Sequence, residues 1–588
     1  MLTSLTAPAF AKTWCIEDGN ITVKAGDTGN DVTQKGETTY GDTDTIITNQ
    51  NKDIASSNTV TIETNDKNDK VEVTLKDVNI NVGSDSGSAL TSNGDVTLTL
   101  KGDNSLTGGN GGSGISSNGS LTITGGENDS LTAKGGSGRS GIFSSGGVTI
   151  SGGTVNATGG SSGSDSGDGI HSGSLTMKGG TVNAKGGSGA DGGSGIRTFS
   201  SGGVTISGGS TVNATGGDAS DKDASAGGSG ILIFGSGSLT VSDSTVTATG
   251  GNGGSARGSH GGNGISGKGS LTVSGGTVTA NGGDGCSGSY SDGGIGISSS
   301  SGGVTISGGT VTATGGKSGS GDYSNGGNGI SSSGSLSISG GTVTATAGSS
   351  SGSYGRDGIT TSSSLTISGG TVTANGGSGS YRGGSGISSS DIELSGSLEL
   401  TAKAGSPNGK ALSQNGIELD PNTFKEKLDP GANIITKDAD GKVINQVSSP
   451  RPVEPEGPVI PEESSSSSDS GSSTPSADGG SATPSAPASP LPGLTVTDKD
   501  GQRISYTSIR GNNVLSLRVG RLTASFRISP AALRQLRAEG IDTITFQTIL
   551  CSTTLSVDEL LTMGGEDTEV VLTHHIRSST LTVGGKAV

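Results

Sequence analysis

The chain predicts an all-β fold: a right-handed parallel β-helix (a solenoid) with end caps, followed by a small C-terminal α+β domain. Three observations predict it. A Gly-Ile dipeptide returns every 26 to 35 residues, from Ile115 to Ile387. Within each interval apolar residues alternate with Ser, Thr and Asn, as in Thr154-Val155-Asn156-Ala157-Thr158. The 588 residues include 114 glycines, yet only 2% are aromatic. A period of this length marks a solenoid or array. So few bulky side chains cannot fill a thick core, which leaves a stacked thin coil or a disordered stalk. The two-residue alternation selects the coil.

The elements follow in order. Residues 1–11 read as the remnant of a signal peptide, with Ala9-Phe10-Ala11 as a small-x-small cleavage pattern, so export is expected. Residues 12–110 read as an N-terminal cap and first coils, where strands such as Val71-Glu72-Val73-Thr74-Leu75 lack the glycine code. Residues 111–405 are the glycine-rich coils, about ten of them, each with three short strands separated by glycine corners. A coil buries about five apolar side chains, worth roughly 1.5–3 kcal/mol each. Ordering its backbone costs about 1–2 kcal/mol per residue, so a coil folds only when stacked on neighbours. Residues 406–447 read as a C-terminal cap, with Asp420-Pro421 opening a short helix. Residues 448–492 are a Pro/Ser-rich linker.

Residues 493–588 are a second domain. They hold 8 of the 14 arginines, and their 10 basic and 9 acidic residues give +1 in a chain of net charge -17. Ser529, Pro530 and Gly540 mark one helix, and Ser556-Val557-Asp558-Glu559 opens another.

The acidic balance disfavours nucleic acid as a partner, and no apolar run is long enough to span a membrane. Cys15, Cys286 and Cys551 are too far apart for a disulfide framework or a zinc spacing.

The stretch Val71 to Gly126, with Leu75-Lys76-Asp77-Val78-Asn79-Ile80, Val96-Thr97-Leu98-Thr99-Leu100 and Gly119-Ser120-Leu121-Thr122-Ile123-Thr124-Gly125-Gly126, resembles bacterial carbohydrate-binding β-helix proteins related in fold to pectate lyases. The resemblance extends loosely to about residue 440 and not to the C-terminal domain. It implies an exported β-helix that binds plant-type polysaccharide, with bound calcium.

The residues themselves offer two candidate sites. Coil length varies in the loop before each Gly-Ile, and insertions on one face of a solenoid often form its working surface. Four of the six tyrosines, Tyr290, Tyr323, Tyr354 and Tyr381, fall in successive loops. In register they would form one row of rings for stacking on sugars, or rings that only order the loops. The same loops carry Asp284, Asp292, Asp322 and Asp357, whose carboxylates could hold Ca²⁺ or stand as solvated acidic turns. Thr-Val-Thr-Ala repeats place threonine ladders outside, as any exposed strand would. The coils' two histidines, His171 and His260, sit in unrelated repeat positions, and no carboxylate pair recurs beside an arginine, so no catalytic set is read. The leading expectation is a secreted or cell-surface polysaccharide-binding protein without catalysis. An adhesin or spacer presenting the C-terminal domain is a second reading, and a pectate-lyase-like enzyme a third. Limited proteolysis should cut first within 448–492; a first cut in mid-coil, with a random-coil circular dichroism spectrum, would instead mark a disordered stalk.

Overall fold

The computed structural model describes residues 12–64, 70–449 apart from 200 and 223, and 493–587 apart from 499–500, 505, 512, 520, 522, 549–551, 564–568, 576–578 and 585. The expected leader at 1–11, residues 450–492 of the expected linker, and Cys551 lie outside the described residues. The chain divides into two compact units, Met1–Gly457 and Pro458–Val588.

The first unit is a parallel β-solenoid of about 16 turns. The glycine code covers only about ten of them, because the outer turns stack the same apolar columns without it. One ladder carries the Gly-Ile isoleucines in register, from Ile115 through Ile142 and Ile170 to Ile359 and Ile387. It begins earlier, at Ile21, Val60 and Leu90, and ends later, at Leu412. A second ladder aligns Val71, Val96, Leu121, Val148 and Leu175 and runs on to Leu365 and Ile392. A third aligns the valines and alanines of Thr-Val-x-Ala, such as Val155 with Val182 and Ala157 with Ala184. These columns are fully or almost fully buried and form one continuous core. The neighbouring residues of each strand point out, as a period of two requires.

Beside each Ile column runs an inward column of hydroxyls that the sequence did not suggest. Ser117, Ser144, Ser299, Ser332 and Ser389 are buried there. Ser144 Oγ donates to the Gly119 carbonyl at 2.8 Å and Ser299 Oγ to the Gly302 carbonyl at 2.8 Å. Several of these hydroxyls thus bond to corner carbonyls, whereas Ser92, Ser172 and Thr198 of the same column are buried without a partner.

Glycine serves two separate purposes. At the corner before Thr-Val it adopts a left-handed backbone, with φ of 74° at Gly153, 80° at Gly180 and 76° at Gly309. At the base of each loop the reason is space. A Cβ on Gly251 would lie 2.0 Å from the Gly217 carbonyl oxygen, one on Gly283 2.0 Å from that of Gly251, and one on Gly316 1.9 Å from that of Gly283. The expectation that corner conformation explains the glycine therefore covers one such corner per coil, with Gly208 and Gly209 both left-handed in one coil and Asp243 in place of glycine in the next. Close approach lets the two legs of each loop bond alternately to each other and to the next coil. Gly228 N donates to Gly217 O, Gly251 N to Gly228 O, Gly262 N to Gly251 O and Gly283 N to Gly262 O, each at 2.8 Å.

Antiparallel hairpins close both ends and leave little strand edge to pair with another chain. Ile21–Ala25, Asn30–Gln34 and Glu37–Asp42 form one, with Trp14 buried nearby and its indole N–H donating to Asp42 Oδ2 at 2.8 Å. Asn433–Lys437 and Val443–Ser448 form the other. The short helix Pro421–Lys427 is a 3-10 helix, capped by Asp420, and buries Phe424. It packs on the last full coil, Ile387–Lys403.

The second unit contains a five-stranded and a four-stranded sheet with two short helices. The helix Pro530–Ala538 has Ser529 accepting from Ala532 N, and Gly540 follows it at φ 81°. The helix Val557–Met563 has Ser556 Oγ accepting from Glu559 N at 3.3 Å. Phe526, Phe546 and Leu536 centre its core.

Gly283→Ala places a methyl group against backbone that cannot yield and should cost about 1–3 kcal/mol or more, as overpacking does. Gly163→Ala, where the added carbon meets nothing within 4 Å, should change stability by less than about 0.5 kcal/mol. Thermal or denaturant melts of the two variants check the contrast; equal midpoints would contradict it.

Candidate functional site

The loops spring from the glycine base, and their tips carry the tyrosines. Tyr290, Tyr323, Tyr354 and Tyr381 are 45%, 63%, 51% and 70% exposed, so their rings stand clear of the core. Tyr290 N donates to Asp322 O at 3.0 Å, which sets Tyr290 beside Tyr323. Their rings stack at 5.2 Å between centroids and 14° between planes. The Arg257 guanidinium lies 4.9 Å from the Tyr290 centroid. Tyr354 and Tyr381 form a second pair at 6.3 Å and 36°.

The expected single row is thus two pairs. Gly326 N donates to Tyr354 O, which aligns Tyr354 with Asn325 and not with Tyr323. The cause is loop length. Between the base glycines, residues 317–325 carry tyrosine two places before the end, whereas 349–354 end on it. Both tyrosines of the first pair have left-handed backbones, with φ of 60° and 59°. That conformation costs a residue with a side chain about 1–2 kcal/mol relative to the right-handed region.

Three of the four expected calcium ligands act as straps between coils. Asp284 Oδ1 accepts from Lys317 N at 2.7 Å, Asp292 Oδ1 from Asn325 N at 2.7 Å, and Asp357 Oδ1 from Ser385 N at 2.6 Å. Asparagine does the same work elsewhere. Asn252 accepts from Asp284 N, Asn263 from Ile295 N and Asn328 from Asp357 N. A neutral oxygen serves equally, so the strap itself needs no charge. Asp322 joins through its backbone carbonyl, which receives Tyr290 N. Among the described residues, no group of three or more His, Cys, Asp or Glu is placed to hold a metal ion.

The structure also gathers an aromatic and charged cluster that sequence reasoning missed. The outward position after the Ile column is Ser116, then Phe143, His171, Arg197 and Leu232, then Ser266. Phe143 and Phe199 both meet His171 edge-on, with centroids 5.6 Å and 5.0 Å from the imidazole, and are themselves stacked 6.4 Å apart. Asp168 is buried; its carboxylate lies 3.1 Å from His171 Nδ1 and accepts from Ser194 N at 2.6 Å. Phe234 lies 5.3 Å from Arg197 and 5.1 Å from Lys268. Serine fills the first outward position in most other coils, and its replacement by Phe, His, Arg and Leu in four successive coils was the available signal.

Comparison with known proteins finds no matching family model, curated protein or solved structure. The class defined here is that of the β-solenoid, and the ladders and loop geometry carry any further reading.

Asp357 gives a test of the straps. Burial pushes its carboxyl above the ordinary carboxylate range, against the opposing pull of the Ser385 amide and of Arg356 and Arg382. The folded state then holds the proton more tightly than the unfolded one. Stability should fall as pH rises from the unfolded value of about 3.8 through the raised folded value. Asp357→Asn keeps the acceptor and removes the buried charge, so it should raise the thermal midpoint at pH 7 and flatten this pH dependence. Asp357→Ala loses the acceptor and should cost about 1 kcal/mol. A lower midpoint for Asp357→Asn would show that the charge itself stabilises the coil.

Proposed function

We propose that the chain is a secreted or cell-surface protein that binds polysaccharide along the loop edge of its solenoid, without catalysis. The observation that carries this reading is the stacked pair Tyr290–Tyr323, exposed and built on left-handed backbone. Glycine would occupy those positions at lower cost, so the rings are retained for what they touch. An exposed ring offers a flat apolar face to the C–H face of a sugar while its hydroxyl stays in water. Two such pairs in successive loops suit a chain ligand that crosses several coils.

The test is a glycan array followed by affinity and melting measurements on the full chain. Tyr323→Ala combined with Tyr354→Ala removes one ring from each pair. It should weaken binding about tenfold or more, while each single change has a smaller effect. Tyr323→Gly should weaken binding without lowering the thermal midpoint, because it also relieves the backbone. Unchanged affinity in the double variant would remove the tyrosines from the site. A large fall in midpoint would assign the rings to loop ordering instead.

A further inference from the structure

Beside the aromatic cluster lies an open cleft of about 400 Å³, between the Ile ladder and the loop base of three successive coils. Asp165, Ser166, Asp168, Asp191, Arg197 and Leu232 line it. Its volume falls in the range of small-molecule sites.

Two polar atoms of its lining side chains are unsatisfied, though neither is itself open to solvent. Arg197 Nε and Ser166 Oγ are buried without a hydrogen-bond partner. Among the described residues, no carboxylate pairs with Arg197, whose guanidinium rests on Phe234. Asp168 is engaged by His171 and Ser194, one contact to each oxygen. Asp191 Oδ1 accepts from Ala226 N at 2.9 Å, and Asp191 and Asp165 are both exposed on the cleft wall.

We propose that this cleft binds one neutral pyranose residue through vicinal hydroxyls, with Arg197 donating, Asp191 and Asp165 accepting, and Leu232 against the ring's C–H face. A hydroxyl both donates and accepts, so a diol matches a wall where a donor-only guanidinium stands among acceptor-only carboxylates. An anionic sugar would meet three carboxylates for one guanidinium. A cationic ligand, which brings donors only, would suit the carboxylates but leave Arg197 without an acceptor. Phe234, against which the Arg197 guanidinium lies, need not touch the ligand. The proposal rests on the glycan-binding reading, but it places a second subsite away from the tyrosines.

The experiment titrates the full chain with the methyl glycosides of glucose, galactose, mannose and xylose, and with galacturonate, by saturation-transfer NMR and calorimetry. The parent chain is compared with Arg197→Lys, with Asp191→Asn, and with the tyrosine double variant. Arg197→Lys keeps the charge and loses the planar fork. Asp191→Asn keeps an acceptor for Ala226 N. The expected result is binding of at least one neutral glycoside, about tenfold weaker in each cleft variant and unchanged in the tyrosine variant, with all melting midpoints alike. Neutral-glycoside binding that survives both cleft changes but fails in the tyrosine variant overturns the subsite and leaves glycan binding standing. Binding of galacturonate alone overturns the neutral assignment. If the parent binds neither these probes nor any arrayed polysaccharide, both readings fall.

Discussion

The close approach of glycine backbones at the loop base is the constraint on which the rest of the first unit depends. Each loop must leave the coil and return to it within a few ångströms, or the three ladders would not close into one turn. With no Cβ in the way, Gly251 N reaches Gly228 O and Gly262 N reaches Gly251 O at 2.8 Å. The loop legs thereby join the same network of backbone bonds as the strands. A carbon at any of these positions would fall within about 2 Å of a carbonyl, so one kind of residue recurs there for a steric reason. The glycine content that first suggests disorder is what makes the coil regular.

The apolar columns were legible because a strand's period of two leaves no freedom over which residues face inward. Ile142, Val148, Ile150, Val155 and Ala157 could be assigned to the core from sequence, and all are buried. The number of turns was less legible. Turns around Val71 and Leu400 keep the columns but lack the glycine spacing, so the repeat alone understates the length. The function of the loop aspartates was also hidden. Sequence shows that Asp284 and Asp357 are acidic and near a turn, but not that each faces an amide of the following coil. That Asn328 occupies the same kind of strap as Asp357 becomes visible only once the register is known. The cluster around His171 escaped for a related reason. Phe143 follows its isoleucine by one residue, whereas Phe199 and Phe234 follow theirs by three, so no repeated motif joins them.

Core and surface are thus under separate control. The buried columns change little from coil to coil. What varies lies outside them, in the length of each loop and in the residue after each Ile column. The same scaffold holds tyrosines at 290 to 381 and a phenylalanine–histidine–arginine group at 143 to 234 without altering the stack beneath. Loop length even decides which rings meet, as the shift between Tyr323 and Tyr354 illustrates.

Because the glycine contacts join backbone to backbone, they recognise no particular neighbour. A coil bearing serine after its isoleucine stacks on one bearing phenylalanine or leucine as readily as on another with serine. In evolutionary terms the coil is an interchangeable part: duplication or loss of one repeat in the gene leaves matching surfaces on either side of the join. The rod's length can then drift by unequal recombination, and each new copy is free to acquire a different loop before selection has to mend anything underneath it.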